Sequence, residues 1–394
     1  MNYEPYNSIL QFIPQNANIT NLYLENLSQS ILQFIQENNL KKVLVSLSGG
    51  IDSMVMTVIL KSLNINFVCC HLNYNNRPET KLEEQFLINW CTENNIHIYI
   101  NEITHLKRGD IKRNDYEEIT KKIKFELYHY LTNLYKCDCV FLAHHKDDIT
   151  ENVFNNIMRG RTSITNLKGM EKIKTIFNLR ICRPILDYRK NDIYKISDKY
   201  QIPYFLDTTP DWSCRGQMRR QIFPKCKKCY SNKFMNSLNK LGEESNKVNK
   251  ILHKYIIQPI FDKIIFAEYG FIITKDSKLL DHFILQTILR LCCNKLNCNI
   301  SHKATNHLID KYNKNCCIIL VKNYVTFINN DKIIFLQNKK LKGYLQEKNT
   351  FNKLKIHNPY EELINGNISF IERNSNKVPD PQIYNSFIVK NLYF

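Results

Sequence analysis

Short apolar runs alternate with longer amphipathic ones through the first half of the chain. The runs at 42–47, 65–71, 97–100 and 139–143 have the length and composition of buried strands. Between them, 20–39, 81–94 and 114–135 carry apolar residues at helical spacing, as in Ile119, Ile123, Leu127 and Leu131. Strands alternating with helices predict an α/β fold with a doubly wound, mostly parallel sheet. Beyond about residue 224 the pattern changes. Polar helical spacing at 231–262 gives way to a strand-like segment at 264–273 and to helices at 279–296 and 302–312. Strands follow at 316–321, 324–328 and 332–336. This half predicts a helical and mixed α+β C-terminal region. The tail from 337 is rich in Asn and Lys, with one further strand-like run at 368–372.

The first strand runs into Ser46-Leu47-Ser48-Gly49-Gly50-Ile51-Asp52-Ser53, and an amphipathic helix follows. Two glycines allow close backbone approach to an anion. A helix N-terminus supplies unpaired N–H groups and the positive end of a dipole, and Ser48 and Ser53 add hydroxyls. Such a loop cradles a phosphate or pyrophosphate. It lacks the Gly-Lys-Ser/Thr of a Walker A loop and the Gly-x-Gly-x-x-Gly of a dinucleotide loop. Asp52 would sit beside the phosphates, which makes sense only if Mg²⁺ or an amine stands between the carboxylate and the anion. The plainer reading is an ordinary glycine turn before a helix.

A second segment, Ala143-His144-His145-Lys146-Asp147-Asp148-Ile149-Thr150-Glu151-Asn152, leaves the fourth strand at the same sheet edge. On a helix starting near Lys146, Asp147 and Asp148 share a face with Glu151. Three acids and a histidine so placed repel one another unless a cation or an amine joins them. Acids complementing the helix dipole are the simpler alternative.

Composition narrows the function. The chain has 394 residues, enough for two or three domains, and no apolar run approaches the ~18–20 residues of a membrane span. The first twenty residues lack the basic and apolar regions of a secretory signal and contain no arginine, so neither export nor mitochondrial import is expected. Fourteen cysteines without a signal predict reduced thiols and a cytoplasmic protein. A net charge of +18 favours an anionic partner, RNA first, although a Lys- and Asn-rich proteome would produce the same excess.

The Ser-Gly-Gly-x-Asp-Ser order resembles the pyrophosphate loop of the ATP-pyrophosphatase superfamily. Together with the acidic segment it resembles the tRNA(Ile)-lysidine synthetase family. The likeness continues in order through Arg159-Gly160, Leu167-Lys168-Gly169-Met170, Arg183-Pro184-Ile185-Leu186, Arg189 and Ile193, and then Asp207, Arg215, Arg219 and Pro224. It covers roughly residues 38–336. Glu151-Asn152 replaces the family's Glu-Thr, and Arg215-Gly216 its Arg-Asn. An Ala-Arg…Arg-Tyr helix motif appears as Thr120-Lys121-Lys122-Ile123-Lys124-Phe125, where lysine loses arginine's bidentate fork. The chain is therefore identified as a divergent member.

The resemblance implies an adenine nucleotide alpha hydrolase-like fold and the following division. Residues 1–40 form a helical extension, 41–224 the ATPase domain, 225–336 a helical and mixed tRNA-binding domain, and 337–394 a divergent tail. It implies an ATP-dependent carbon-nitrogen ligase. The C2 carbonyl of the wobble cytidine in a tRNA(Ile) CAU anticodon is adenylated, and free lysine displaces AMP to give lysidine. Ser48, Gly49, Gly50, Ile51, Asp52 and Ser53 would bind ATP. Asp52, Asp148 and Glu151 would be catalytic, with Mg²⁺ at Asp52 and Asp148. Asp147 and Glu151 would bind lysine, and Arg159, Arg215, Arg219 and Arg220 the tRNA, unless those arginines are a solvated face. No membrane partner is expected, and a homodimer is allowed.

Three rivals stay open. A tRNA thiolase would give work to Cys226 and Cys229, which have metal-ligand spacing, or to the neighbouring Cys137 and Cys139. An idle RNA-binding homologue is disfavoured by the intact acids. An amide-transferring synthetase would need a glutaminase domain with a leading Cys, which this N-terminus does not show.

Overall fold

The first strand, β1 (Val43–Ser46), is apolar on both faces, and the structure makes it an interior strand. The computed structural model describes residues 10–11, 19, 21–76, 79–104, 106, 111–161, 163–167, 169–206, 213–267, 270–275, 281–298, 300–314, 316–321, 324–328 and 331–337. Asp207, Lys168, the expected strand at 368–372 and the tail after Gln337 lie outside them.

Strands β2 (Phe67–Asn73), β3 (Ile98–Glu102) and β4 (Cys139–Phe141) join β1 in parallel. The sequence pattern did not assign β5 (Ile173–Ile176) and β6 (Leu179–Cys182), which form an antiparallel hairpin. Its two-residue turn places Phe177 and Asn178 at φ +49° and +60°, and only the asparagine advertises it. The strand order is β3-β2-β1-β4-β6-β5, with β5 the antiparallel edge.

Helices α1 (Asn26–Glu37), α2 (Ile51–Ser62), α3 (Thr80–Glu93) and α4 (Arg113–Tyr135) fall where the spacing predicts them. The helix α6 (Lys190–Tyr200) follows α5 (Lys146–Met158) and the hairpin. Side-chain alternation sorts the core into two layers. Val43, Val45, Cys69, Cys139 and Phe141 pack among α1, α2, α3 and α6, while Leu44, Val68, Cys70 and Val140 face α4. The adjacent Cys69 and Cys70 thus serve opposite cores as small hydrophobes, and burial pushes both thiols up.

After Ser213 comes a helical run of α7 (Cys214–Gln217), a π turn at Met218–Ile222, α8 (Phe223–Tyr230) and α9 (Lys233–Leu252). A second π turn, His253–Ile257, precedes α10 (Gln258–Phe261). Both π turns come just before a proline, Pro224 or Pro259, near the start of the next helix. Proline supplies no N–H to the preceding turn, so the backbone widens there.

The chain separates into two compact units, Met1–Lys247 and Val248–Phe394, the boundary falling within α9. In the second unit the segment expected as one strand is two: β7 (Ile265–Ala267) turns back antiparallel to β8 (Gly270–Thr274). With β9 (Cys316–Val321), β10 (Tyr324–Ile328) and β11 (Lys332–Gln337) they form an antiparallel sheet of order β7-β8-β11-β10-β9. Helices α11 (His282–Lys295) and α12 (His302–Asp310) share its core through Leu285, Ile288, Leu289 and Leu308. No helix among the described residues is long and apolar enough to cross a membrane.

Candidate active site

Strand order reverses between β1 and β4, since the chain winds from β1 to β3 on one side and returns to β4 on the other. The loops leaving adjacent strands at such a point diverge and leave a crevice. Here a cleft of ≈ 1180 Å³ opens, lined among others by Ser48, Asp52, Ser53, Asp148, Glu151, Arg159 and Arg215. Residues expected from two separate motifs and from the arginine segment thus meet on one surface.

The loop after β1 is built mainly from backbone and hydroxyls. Gly49 has φ +79°, and a Cβ there would lie 2.2 Å from the Phe205 ring. The Phe205 N–H donates to the Gly49 carbonyl at 2.9 Å, so the segment that excludes a side chain also anchors the turn. The Ser53 hydroxyl donates to the Gly50 carbonyl at 2.9 Å and accepts from the Ser48 N–H at 3.2 Å. The loop is thereby wrapped around one serine. Gly50 caps α2 without a side-chain hydrogen bond, so the helix N-terminus keeps its affinity for an anion.

The segment after β4 is held by side chains. His145 caps α5: its Nδ1 accepts the Asp147 N–H at 3.2 Å, and its own N–H donates to Asp148 Oδ2 at 3.0 Å. This is a capping box with histidine in the serine position. Part of the acidic signal is therefore helix initiation, the simpler alternative raised by the sequence. Accepting at Nδ1 leaves the neutral imidazole its proton on Nε2. That nitrogen stands 3.6 Å from Asp52 Oδ1 and 3.5 Å from Asp148 Oδ2. Burial opposes the charge on Asp148, but His145, His144, the His145 N–H and Arg215 outweigh it and hold the carboxyl below its usual range.

His144 lines the cleft and accepts a 3.0 Å hydrogen bond at Nδ1 from Arg183 Nε. Burial, with Arg183, Arg215 and Lys124 nearby, brings its pKa down to about 4 against the pull of Asp148. Lys124, from the divergent α4 motif, also lines the cleft, and burial beside Lys121 and Arg215 lowers its pKa.

Several of the expected site residues already have protein partners in this geometry. Asp147, expected to bind lysine, already accepts from Arg189 Nη1 at 2.6 Å and from the Lys190 N–H at 3.1 Å. Both its oxygens clamp the start of α6 to the start of α5. Arg219, expected on tRNA, grips Glu151 with two hydrogen bonds, Nε to Oε1 at 2.5 Å and Nη2 to Oε2 at 3.2 Å. The π turn carrying Arg219 sets this pairing. Arg215 is more exposed and stands 3.8 Å from Glu151. Arg159 and Arg220 are exposed.

The pair expected to hold Mg²⁺ does not fit a bridging metal. The His145 Nε2 stands between Asp52 and Asp148, and Lys190 Nζ pairs with Asp52 Oδ2 at 2.6 Å. No group of three or more His, Cys, Asp or Glu able to hold a metal occurs among the described residues. Cys226 and Cys229 lie on α8 and do not line the cleft. Lys190 and His145 are the site residues that the sequence did not flag. The one available signal was the position of Lys190 directly after Arg189.

The PP-loop domain family matches residues 23–226. The tRNA(Ile)-lysidine synthase of Chlamydia muridarum (strain MoPn / Nigg) is 29% identical over 258 residues, spanning 65% of this chain and 79% of that protein. The enzyme of the same name from Chlamydia pneumoniae is 24% identical over 292 residues, spanning 73% and 90%. Among solved structures, the U34-tRNA thiolase NcsA from Methanococcus maripaludis aligns with a TM-score of 0.47 at 16% identity, over 59% of this chain and 80% of that one. At that distance the structural likeness says nothing about chemistry.

Proposed function

This chain belongs to the PP-loop domain family, and from that premise we propose that it is an ATP-dependent tRNA-modifying ligase that joins lysine to a wobble cytidine. The observation that carries the reading is the shared cleft, where the Ser48–Ser53 loop faces Asp148 and Glu151. In the first step the cytidine O2 attacks the α-phosphorus of ATP. The bond to the bridging oxygen breaks and pyrophosphate leaves. Ser48, Ser53 and the α2 N-terminus hold the phosphates, and Gly49, Gly50 and Ile51 give the loop its shape.

In the second step the amine of lysine attacks C2. The C2–O2 bond breaks, and AMP departs with that oxygen. The amine arrives as an ammonium and must lose protons. Glu151 is the carboxylate we assign to receive it, once Arg219 shares or releases its grip. Asp148 stays ionised and supplies negative charge at the same wall. Arg159, Arg215 and Arg220 are left to contact RNA phosphates. No step is assigned to Mg²⁺.

Thiolation is the runner-up. Among the described residues lining the cleft the cysteines are Cys70 and Cys214, and burial raises the Cys70 thiol far from its reactive range. Cys214 is the exposed thiol of the cleft that sulfur transfer would have to use. The deciding test incubates tRNA with the protein, ATP and isotopically labelled lysine, followed by mass spectrometry of the nucleosides. Label in a modified cytidine supports lysine ligation. Sulfur in the product, or turnover indifferent to lysine, replaces this reading with the thiolase.

A further inference from the structure

Asp52 presents a physical problem for a phosphate loop. A carboxylate in the first turn of α2 repels the triphosphate that the loop is shaped to hold. A cation must stand between them. The structure sets a cation on this carboxylate. Lys190 Nζ lies 2.6 Å from Asp52 Oδ2, and the two side chains are 27% and 23% exposed. The other carboxylate oxygen, Oδ1, is buried without a hydrogen-bond partner, with His145 Nε2 3.6 Å away.

The lysine is held in place by more than this pair. It is the first residue of α6, and its backbone N–H donates to Asp147 Oδ2 at 3.1 Å. Arg189 Nη1 closes on the other Asp147 oxygen at 2.6 Å, and the Lys146 N–H donates to the Tyr188 carbonyl at 2.7 Å. The starts of α5 and α6 are thus tied together. The Lys190 ammonium also sits 5.7 Å from the centre of the Tyr194 ring, one turn along α6.

Resting on the nucleotide reading of this cleft, we propose that Lys190 is the built-in counter-ion of the phosphate loop, positioning Asp52 and neutralising it against the triphosphate in place of a protein-held divalent metal. Asp147, Arg189 and the backbone of α6 fix its place. Divalent metal then contributes to ATP binding as a partner of the nucleotide and not as a ligand of Asp52.

The test compares wild type, Lys190→Met and Lys190→Arg, with ATP affinity measured by calorimetry in EDTA and again with Mg²⁺. The wild type binds ATP in EDTA. Lys190→Met loses roughly ten- to a hundred-fold in EDTA, the scale of one charge-assisted hydrogen bond, and Mg²⁺ recovers most of the loss by occupying Asp52. Lys190→Arg keeps binding in EDTA. In parallel, electron paramagnetic resonance with Mn²⁺ and no nucleotide finds a bound ion in Lys190→Met and not in the wild type. Equal affinity of wild type and Lys190→Met in EDTA overturns the proposal. So does a loss that Mg²⁺ leaves untouched, which marks a merely structural lysine. A wild-type Mn²⁺ site that Asp52→Asn abolishes overturns it as well. Absence of ATP binding by the wild type under both conditions overturns the nucleotide reading itself and this proposal with it.

Discussion

The two loops that frame the cleft solve the same problem with different materials. The turn after β1 is shaped by a left-handed glycine, a serine hydroxyl and the Phe205 backbone. The segment after β4 is shaped by charge: His145 between two carboxylates, Asp147 under Arg189, Glu151 under Arg219. A backbone-built loop has one conformation that sterics enforce. A charge-built segment has several, because its ion pairs can be exchanged for those of a substrate. The first suits an invariant phosphate, and the second suits the arrival of an ammonium group.

The comparison breaks most completely at Gly49. Gly49→Ala forces a side chain into the left-handed region, at about 1–2 kcal/mol, and against the Phe205 ring, at ~1–3 kcal/mol more. We expect lost ATP binding and a lowered melting temperature. Adding Phe205→Ala should recover part of the stability but not all of it, because the backbone strain remains. A Gly49→Ala protein with normal ATP affinity would show that the loop is not sterically fixed.

On the charged side the largest effect is at Asp52. Asp52→Asn leaves the Lys190 ammonium without its charged partner, so ATP–pyrophosphate exchange should fall strongly while the protein stays folded, as judged by circular dichroism. Near-normal exchange would remove Asp52 from the chemistry.

Glu151→Gln keeps the shape and removes the charge. It should raise the apparent KM for lysine roughly ten- to a hundred-fold while adenylation persists. If adenylation falls and the KM for lysine does not move, Glu151 belongs to the first step.

The arginine rim should respond more gently. Arg159→Ala with Arg215→Ala should flatten the salt dependence of tRNA binding, each lost phosphate contact lowering the slope by somewhat under ~1. An unchanged slope would return these residues to solvent.

The smallest effect is on pH. The folded protein keeps His144 neutral down to about pH 4, whereas the imidazole ordinarily takes its proton near 6.5. Between those values the unfolded chain binds more protons, so stability falls as pH drops from 6.5 towards 4. Denaturant midpoints measured across that window should decline, and less steeply in His144→Gln. An identical decline in the variant would place the proton elsewhere.

The sequence by itself determined what neighbouring residues decide. The apolar run at 65–71 announced a buried strand, and glycine chemistry located the Ser48–Ser53 turn. Helical spacing placed Asp148 and Glu151 on one element. It also carried the family likeness, because those motifs are local. The β5–β6 hairpin and the split of 264–273 escaped, since neither stretch carries the usual Gly-rich turn signal. Only the tertiary structure decided which charges meet. Lys190 reaches Asp52 across 138 positions and Arg219 reaches Glu151 across 68. No periodicity encodes such distances. They follow from the strand order that brings β1 beside β4, from the packing of α6 against α2, and from a proline that widens the turn before α8. A lysine that the sequence did not flag and an arginine expected on tRNA thereby become the partners of Asp52 and Glu151.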